Sequence, residues 1–543
     1  MTSNKDPMIP DGKVNPIDTD YQIGQDNILV KVGPFGLDIH NRVFLISGLS
    51  IIAFVVLTLT FSSQAAPAFT ALRNSLTANL DWFFISAANV FVLLCLLLIV
   101  SPLGKVRLGG TEATPDFSYL GWFSMLFAAG MGIGLMFYGV SEPLTHFGTA
   151  YAGTEYEAGV RVDFAPLGAA AGNSAQATEL AMAATIFHWA LHPWAIYAIL
   201  ALGLALFSFN KGLPLTIRSV FYPILGERVW GWPGHLIDIL AVFATLFGLA
   251  TSLGIGAAQA SAGLNYLFSF PDGTTTQVLL VIAITALALI SVIAGLEAGV
   301  KRLSEINMLL AALLLLFVIF VGPTLAIFTG FANNLASYLQ HLPALSNPIG
   351  REDANYSQGW TTFYWAWWIS WSPFVGMFIA RVSRGRSVRE FLISVLLIPS
   401  LACVFWMTVF GNTAISQVVQ EGYQAAAEAA LPLQLFAMLD GLPLAQLSSF
   451  IAIVLVIVFF ITSSDSGSLV IDTIAAGGKV NAPTVQRVFW CTFEGLVAIA
   501  LLIGGGLTAL QAMAVSTGFP FTLVLLAACV AIIKGLMSEP RVK

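Results

Sequence analysis

Tyr364-Trp365-Ala366-Trp367-Trp368-Ile369-Ser370-Trp371 places four tryptophans in seven positions, inside an apolar segment (residues 360–380) long enough to cross a membrane. Tryptophan is common at the ends of membrane helices, where its ring sits among headgroups. Here apolar Phe374-Val375-Gly376-Met377-Phe378-Ile379-Ala380 follows the cluster, and only then comes the basic run Arg381 to Arg389 that marks a membrane surface. The cluster therefore lies about two to three helical turns from that surface, near mid-depth by helical rise. A buried site is the stronger reading and an interfacial belt the weaker. On a helix Trp367 and Trp371 share a face, with Trp368 about 100° away. Indole faces are electron-rich and attract a cation without carrying charge, and quaternary ammonium groups are their usual guests. The stretch predicts a membrane-spanning helix that handles a methylated cation or zwitterion in transit.

The remainder of the 543-residue chain agrees with a membrane setting. It is 57% hydrophobic and only 10% charged, with mean hydropathy +0.84, whereas soluble domains carry about 25% charged residues. Residues 1–40 are polar and somewhat acidic, with no short apolar stretch before a cleavage site, so no cleavable signal is expected and the first apolar run, from Val43, is itself a span. Cys95, Cys403, Cys491 and Cys529 fall in apolar runs and are expected to be buried free thiols. The net charge of −6 says nothing of nucleic acid. No basic cluster interleaved with aromatics lies outside the membrane, so no nucleic-acid partner is expected.

Apolar runs of spanning length are read near 43–62, 82–101, 118–140, 179–208, 235–262, 277–296, 308–330, 360–380, 388–411, 447–463, 485–505 and 510–533. They predict an all-α polytopic membrane protein of twelve transmembrane helices with both ends on one side. The connections after alternate spans hold Lys105, Arg107, Lys211, Arg218, Arg228, Lys301, Arg302, Arg381, Arg384, Arg386, Arg389, Lys479 and Arg487, and the opposite connections hold only Arg73, Arg161 and Arg351. Positive loops stay cytoplasmic, which places both termini inside. Two outer connections are long, 142–178 and 412–446; the second is rich in Ala and Glu and is expected to form a surface helix. Residues 299–307 read as a short amphipathic helix on the inner face.

Three further motifs carry chemistry. The third span contains Ala128-Ala129-Gly130-Met131-Gly132-Ile133-Gly134-Leu135. Glycine weakens a helix by about 1 kcal/mol relative to alanine. Taken alone, the run reads more readily as close helix packing than as a broken helix whose bare carbonyls meet an ion. The tenth span ends Phe459-Phe460-Ile461-Thr462-Ser463-Ser464-Asp465-Ser466. Its adjacent hydroxyls suit a hard ion, although Ser and Thr in membrane helices commonly bond back to their own backbone. The fourth span carries His188-Trp189-Ala190-Leu191-His192-Pro193-Trp194-Ala195-Ile196-Tyr197. Trp194 and Tyr197 share a face, and Pro193 loosens the helix. His188 and His192 have metal-compatible spacing, but with six histidines in the chain and no second His or Cys cluster, structural hydrogen bonding is the stronger reading. Glu494 lies well inside a span and is a secondary functional candidate.

Together these residues resemble the betaine/choline/carnitine transporter family. Gly130 through Pro143 (Gly-Met-Gly-Ile-Gly-Leu-Met-Phe-Tyr-Gly-Val-Ser-Glu-Pro) is similar to its third-span motif. Trp365 through Pro373, followed by Arg381-Val382-Ser383-Arg384-Gly385-Arg386, resembles its eighth-span signature. The resemblance implies a leucine-transporter-like architecture of two inverted five-helix repeats (residues 118–332 and 359–534). These would follow a polar cytoplasmic segment (1–42) and two peripheral helices (43–117), with an extracellular connection at 333–358 and a short cytoplasmic tail at 535–543. It also implies a homotrimer with the 299–307 helix at subunit contacts.

Carried over by position, the substrate box is Trp189, Trp194, Tyr197, Trp367, Trp368 and Trp371, with Phe378 as a gate on the exit path. One sodium site would use the carbonyls of Ala128, Met131 and Phe459 and the hydroxyls of Thr462 and Ser463. A possible second sodium site involves Thr245 and Phe374, but the family's second threonine position is Leu249, which offers no oxygen; Thr251 and Ser252 lie nearby. Choline-type members place an aspartate where Gly134 stands, and a neutral residue suits a zwitterion with its own carboxylate. The expected activity is sodium-driven import of a zwitterionic compatible solute (glycine betaine, dimethylsulfoniopropionate or ectoine) across the cell inner membrane, with no cofactor beyond Na+ as coupling ion. Proton-coupled or sodium-independent choline/carnitine-type transport is the alternative. A membrane enzyme would need a catalytic cluster that the sequence does not offer.

Overall fold

The computed structural model describes residues 10–32, 35–130, 132–294 and 297–541. The chain is an all-helical membrane protein. Among the described residues, ten helices are long and apolar enough to cross a bilayer. An eleventh candidate is the pair Tyr119–Gly130 and Ile133–Ala152, bent by 65° at the break between them. The helix expected as the eighth span is present as Thr362–Val382, but falls below that measure of apolarity because tryptophan, tyrosine and serine occupy the positions that aliphatic residues fill elsewhere. Burial compensates: Tyr364, Trp365, Ala366 and Ile369 are fully enclosed by protein.

The described structure revises several boundaries. The second helix is much longer than expected: Ser62–Val100 runs for 39 residues and is separated from Val43–Thr60 by the single residue Phe61. Residues 299–307 do not form a separate amphipathic helix. They are the first turns of Glu297–Val321, since nothing in Ser304-Glu305-Ile306-Asn307 stops a helix. The connection expected over 333–358 is largely helix, because Thr324–Leu345 resumes after Pro323. The Ala/Glu-rich part of 412–446 gives only the four-residue helix Ala425–Glu428, and the longer helix there, Gln434–Asp440, is buried rather than on the surface. Before the first span, Asn27–Val32 and Phe35–His40 pair as an antiparallel hairpin in a segment expected only to be polar.

Burial separates inner from peripheral helices. In the fourth span, Ser174–Asn210, 94% of the most apolar window is enclosed by protein, against 28% for Thr274–Ala294. The latter exposes Leu279, Ile282, Ile290 and Ile293, the side-chain types that lipid accepts. All four cysteines are buried free thiols, as expected.

On the side that carries the basic connections, buried ion pairs tie loops to helices. Arg218 Nε lies 2.5 Å from Asp238 Oδ2, and Lys211 Nζ lies 2.5 Å from Glu539 Oε1. Removing one partner of such a pair typically costs about 3–5 kcal/mol, because the other charge is left uncompensated. His40, at the end of the hairpin, packs on His235 and Arg218. Burial first, and then the Arg218 guanidinium, holds its imidazole down to about 3, so it stays neutral.

Candidate functional site

Two interrupted helices shape the centre of the molecule. In the third span the helix stops at Gly130 and restarts at Ile133, with Gly132 extended between them (φ −169°, ψ −175°). In the fourth, Ser174–Trp189 ends at Ala190 (φ −104°, ψ −117°) and Leu191–Ala205 follows. Pro193 supplies the cause, since it has no N–H for the carbonyl of Trp189. The carbonyl of His188, beside the break, accepts a 2.9 Å hydrogen bond from Trp368 Nε1 instead.

Between these breaks lies a cavity of about 250 Å3, lined by the indoles of Trp189, Trp367, Trp368 and Trp371, the ring of Tyr197, and residues of the third and tenth spans. It is smaller than the about 300–1,000 Å3 of drug-sized ligand pockets, and so suits a small solute. Trp368 is the hub. Its ring centroid lies 5.1 Å from that of Trp189 (86°), 5.7 Å from Tyr197 (84°) and 5.5 Å from Trp367 (26°).

The four indole N–H groups are all engaged within the protein. Trp189 Nε1 donates to Glu142 Oε2 (2.8 Å), Trp367 Nε1 to Ser252 Oγ (3.2 Å), Trp368 Nε1 to the His188 carbonyl (2.9 Å) and Trp371 Nε1 to the Gly248 carbonyl (2.9 Å). With its polar edge so engaged, each indole is left with its electron-rich face to offer a guest. Gly134 makes the close approach possible, because a Cβ there would lie 2.8 Å from Cη2 of Trp189 and 2.9 Å from Cη2 of Trp367.

The structure gathers most of the residues singled out from sequence. Trp189, Tyr197, Trp367, Trp368, Trp371, Phe374, Phe378, Ala128, Phe459, Thr462 and Ser463 all line this one cavity. Phe378, 37% exposed, stands at the end nearest the basic connections. Trp194 does not line the cavity; it is buried behind it, edge-on to Tyr197 with ring centroids 5.4 Å apart. Met131 lies outside the described residues. Thr245 is buried away from the cavity with its hydroxyl 2.7 Å from the Ala241 carbonyl. Leu249 packs against Gly467, where a Cβ would lie 2.3 Å from Leu249 Cδ1. Of its two neighbours, Thr251 bonds the Phe247 carbonyl at 2.8 Å and Ser252 reaches the cavity. The Thr462 hydroxyl bonds back to the carbonyls of Val458 and Phe459 at 3.0 and 3.2 Å, leaving its oxygen lone pairs to accept.

Two groups enter the picture from outside that set. Ser304, Asn307 and Met308 line the cavity because the Glu297–Val321 helix begins earlier than its apolar run. Glu142, expected at the start of the outer connection 142–178, is fully buried inside Ile133–Ala152. Its visible signal was the pairing with His146 one helical turn on, 3.3 Å away. His188 and His192 make structural hydrogen bonds, His188 to Glu142 (2.5 Å) and Thr361 (2.9 Å), His192 to Asn89 (3.0 Å). Glu494 is buried off the cavity, with Ser464 Oγ 3.0 Å from its Oε2. Glu142, His146 and His188 cluster closely enough to be considered as metal ligands. The 2.5 Å contact between Glu142 Oε1 and His188 Nδ1 is a hydrogen bond, however; two ligands around a tetrahedral zinc stand about 3.3 Å apart.

An all-α membrane fold around a small, aromatic-walled central chamber defines a solute transporter rather than an enzyme. The chain belongs to the betaine/carnitine/choline family of transporters, whose profile it matches over residues 42–541. It is 72% identical to a glycine betaine/proline/choline transporter of Vibrio parahaemolyticus over 532 residues, 98% of this chain and 96% of that one. It is 53% identical to glycine betaine transporter 1 of the same organism, over 96% of this chain and 97% of the relative. It is 43% identical to the glycine betaine transporter OpuD of Bacillus subtilis, over 88% and 90%.

Proposed function

We propose that the protein is a sodium-coupled symporter that imports glycine betaine and related zwitterionic compatible solutes across the cell inner membrane, with both termini cytoplasmic and three copies per assembly. The observation that carries the substrate class is the set of indoles whose N–H groups are bound within the protein while their rings wall a single small chamber. A trimethylammonium head gives up little hydration on entering such a chamber and donates no hydrogen bond, so ring faces suffice to hold it. Gly134 leaves the adjoining wall without a charge that would repel the solute's carboxylate. Each of the three relatives given above is a transporter named for glycine betaine, which supports the same solute class here. Competition of labelled betaine uptake by proline, choline, ectoine and dimethylsulfoniopropionate tests the substrate range; failure of every quaternary or sulfonium solute to compete would overturn it.

The sodium-coupling reading is supported by oxygen-bearing residues of two separate helices lining one cavity. Ala128, in the last turn before the third-span break, and the tenth-span residues Phe459, Thr462 and Ser463 line the same space. A sodium ion held there would bridge the broken helix to the tenth span and favour one conformation, which is the requirement for coupling. The proposal rests on this one site, since Leu249 supplies no ligand where a second would need it. Thr462→Ala removes a hydroxyl and is expected to raise the sodium concentration for half-maximal uptake by roughly ten-fold while leaving the maximal rate nearly intact. Sodium dependence in proteoliposomes measures it. An unchanged dependence would count against the site, and uptake driven by a proton gradient alone would favour proton-coupled or exchange transport.

A further inference from the structure

The chamber's cation affinity has a source outside its lining. Glu142 does not line the cavity, yet it is fully buried directly behind it and receives four side chains. Trp189 Nε1 lies 2.8 Å and Tyr364 Oη 2.5 Å from its Oε2; His188 Nδ1 lies 2.5 Å and His146 Nε2 3.3 Å from its Oε1. An ionised carboxylate only accepts and has about four acceptor sites. The indole N–H can only donate, and the phenol and imidazoles can donate too. Thr361 Oγ1, 2.9 Å from His188 Nε2, can complete the chain by donating to the neutral ring's other nitrogen. Neutral donors can thus solvate a carboxylate here, in a network that joins the outer half of the broken third span (Glu142, His146), the end of the first half of the fourth (His188, Trp189) and the eighth (Tyr364).

We propose that Glu142 is a positioning residue that sets the chamber's affinity for a positive headgroup by acting through Trp189. A carboxylate accepting the indole N–H pins the ring's orientation and pushes electron density toward its face, which strengthens attraction for a cation. The same charge, screened from the chamber by the indole, sits farther from the solute's own carboxylate than an acid in the lining would. A zwitterion is thereby selected at both ends. This inference rests on the reading of the chamber as a site for cationic heads, and the test separates the two.

The test compares binding of glycine betaine with that of its carbon isostere, tert-butylacetate, which has the same shape and carboxylate but no positive charge, on purified full-length protein. Wild type should prefer glycine betaine clearly; equal binding would overturn the cation site itself. Given that preference, Glu142→Gln should weaken glycine betaine by roughly ten-fold and leave the isostere within about two-fold, so that discrimination collapses. A merely structural role would weaken both ligands alike, and that result, or unchanged discrimination, would overturn the proposal. Should Glu142→Gln fail to fold, replacing Trp189 with benzothienylalanine removes the N–H and keeps a bicyclic aromatic face. The same selective loss is expected there, and retained discrimination would refute the role.

Discussion

Trp371→Ala is expected to abolish measurable solute uptake while leaving the protein folded. The ring lines the chamber and contacts Phe374 edge-on, 5.3 Å between centroids. A desolvated cation–π contact is worth about 2 kcal/mol, roughly thirty-fold in affinity, before the loss of chamber shape is counted. The fold should survive because the side chain is only partly buried, and because the Gly248 carbonyl that Trp371 Nε1 bonds also accepts from Ser252 Oγ at 3.3 Å. Uptake by proteoliposomes, alongside a size-exclusion profile matching the parent, measures both halves of the expectation. Wild-type uptake in this variant would remove Trp371 from the site.

Gly134→Asp is expected to shift substrate preference from betaine toward choline. Any Cβ at this position meets the edges of Trp189 and Trp367 at 2.8 and 2.9 Å, below normal contact. Each of those rings is held by its own N–H bond, to Glu142 and Ser252, so neither turns aside freely. Gly134→Ala isolates this steric cost, and uptake of glycine betaine should fall about ten-fold, in the range of an overpacked core position. The aspartate adds a charge facing the solute. It repels the betaine carboxylate and attracts choline, which has none, so choline should be affected less than betaine. Equal loss for both solutes would leave only the steric effect and contradict the argument from charge.

Much of the chamber was legible because its parts are local. The eighth-span cluster, the glycine run and the hydroxyls after Phe459 each occupy a few consecutive residues, and helical spacing alone puts Trp367 and Trp371 on one face. What could not be read depends on how helices meet. Trp194 shares a face with Tyr197 on Leu191–Ala205, yet only Tyr197 reaches the cavity and Trp194 packs against it edge-on. Glu142 falls at the start of the 142–178 connection in the sequence reading because the third apolar run ends near 140. In this fold the Ile133–Ala152 helix carries Pro143 within it, and the carboxylate finds donors from two other spans. The eighth helix was legible as a span although it is less apolar than the others, and its aromatic and hydroxyl side chains are largely enclosed by protein or line the cavity. The N-terminal hairpin left no apolar alternation strong enough to stand out among polar neighbours.

The account stands on one arrangement, a positive headgroup enclosed by aromatic faces at the broken third span. A structure of the protein with glycine betaine bound tests it directly. The expected result is the quaternary nitrogen within about 6 Å of the ring centroids of Trp189, Trp368 and Trp371, with no acidic side chain against it. Solute density elsewhere, or a trimethylammonium group held by a carboxylate instead of by rings, would contradict it.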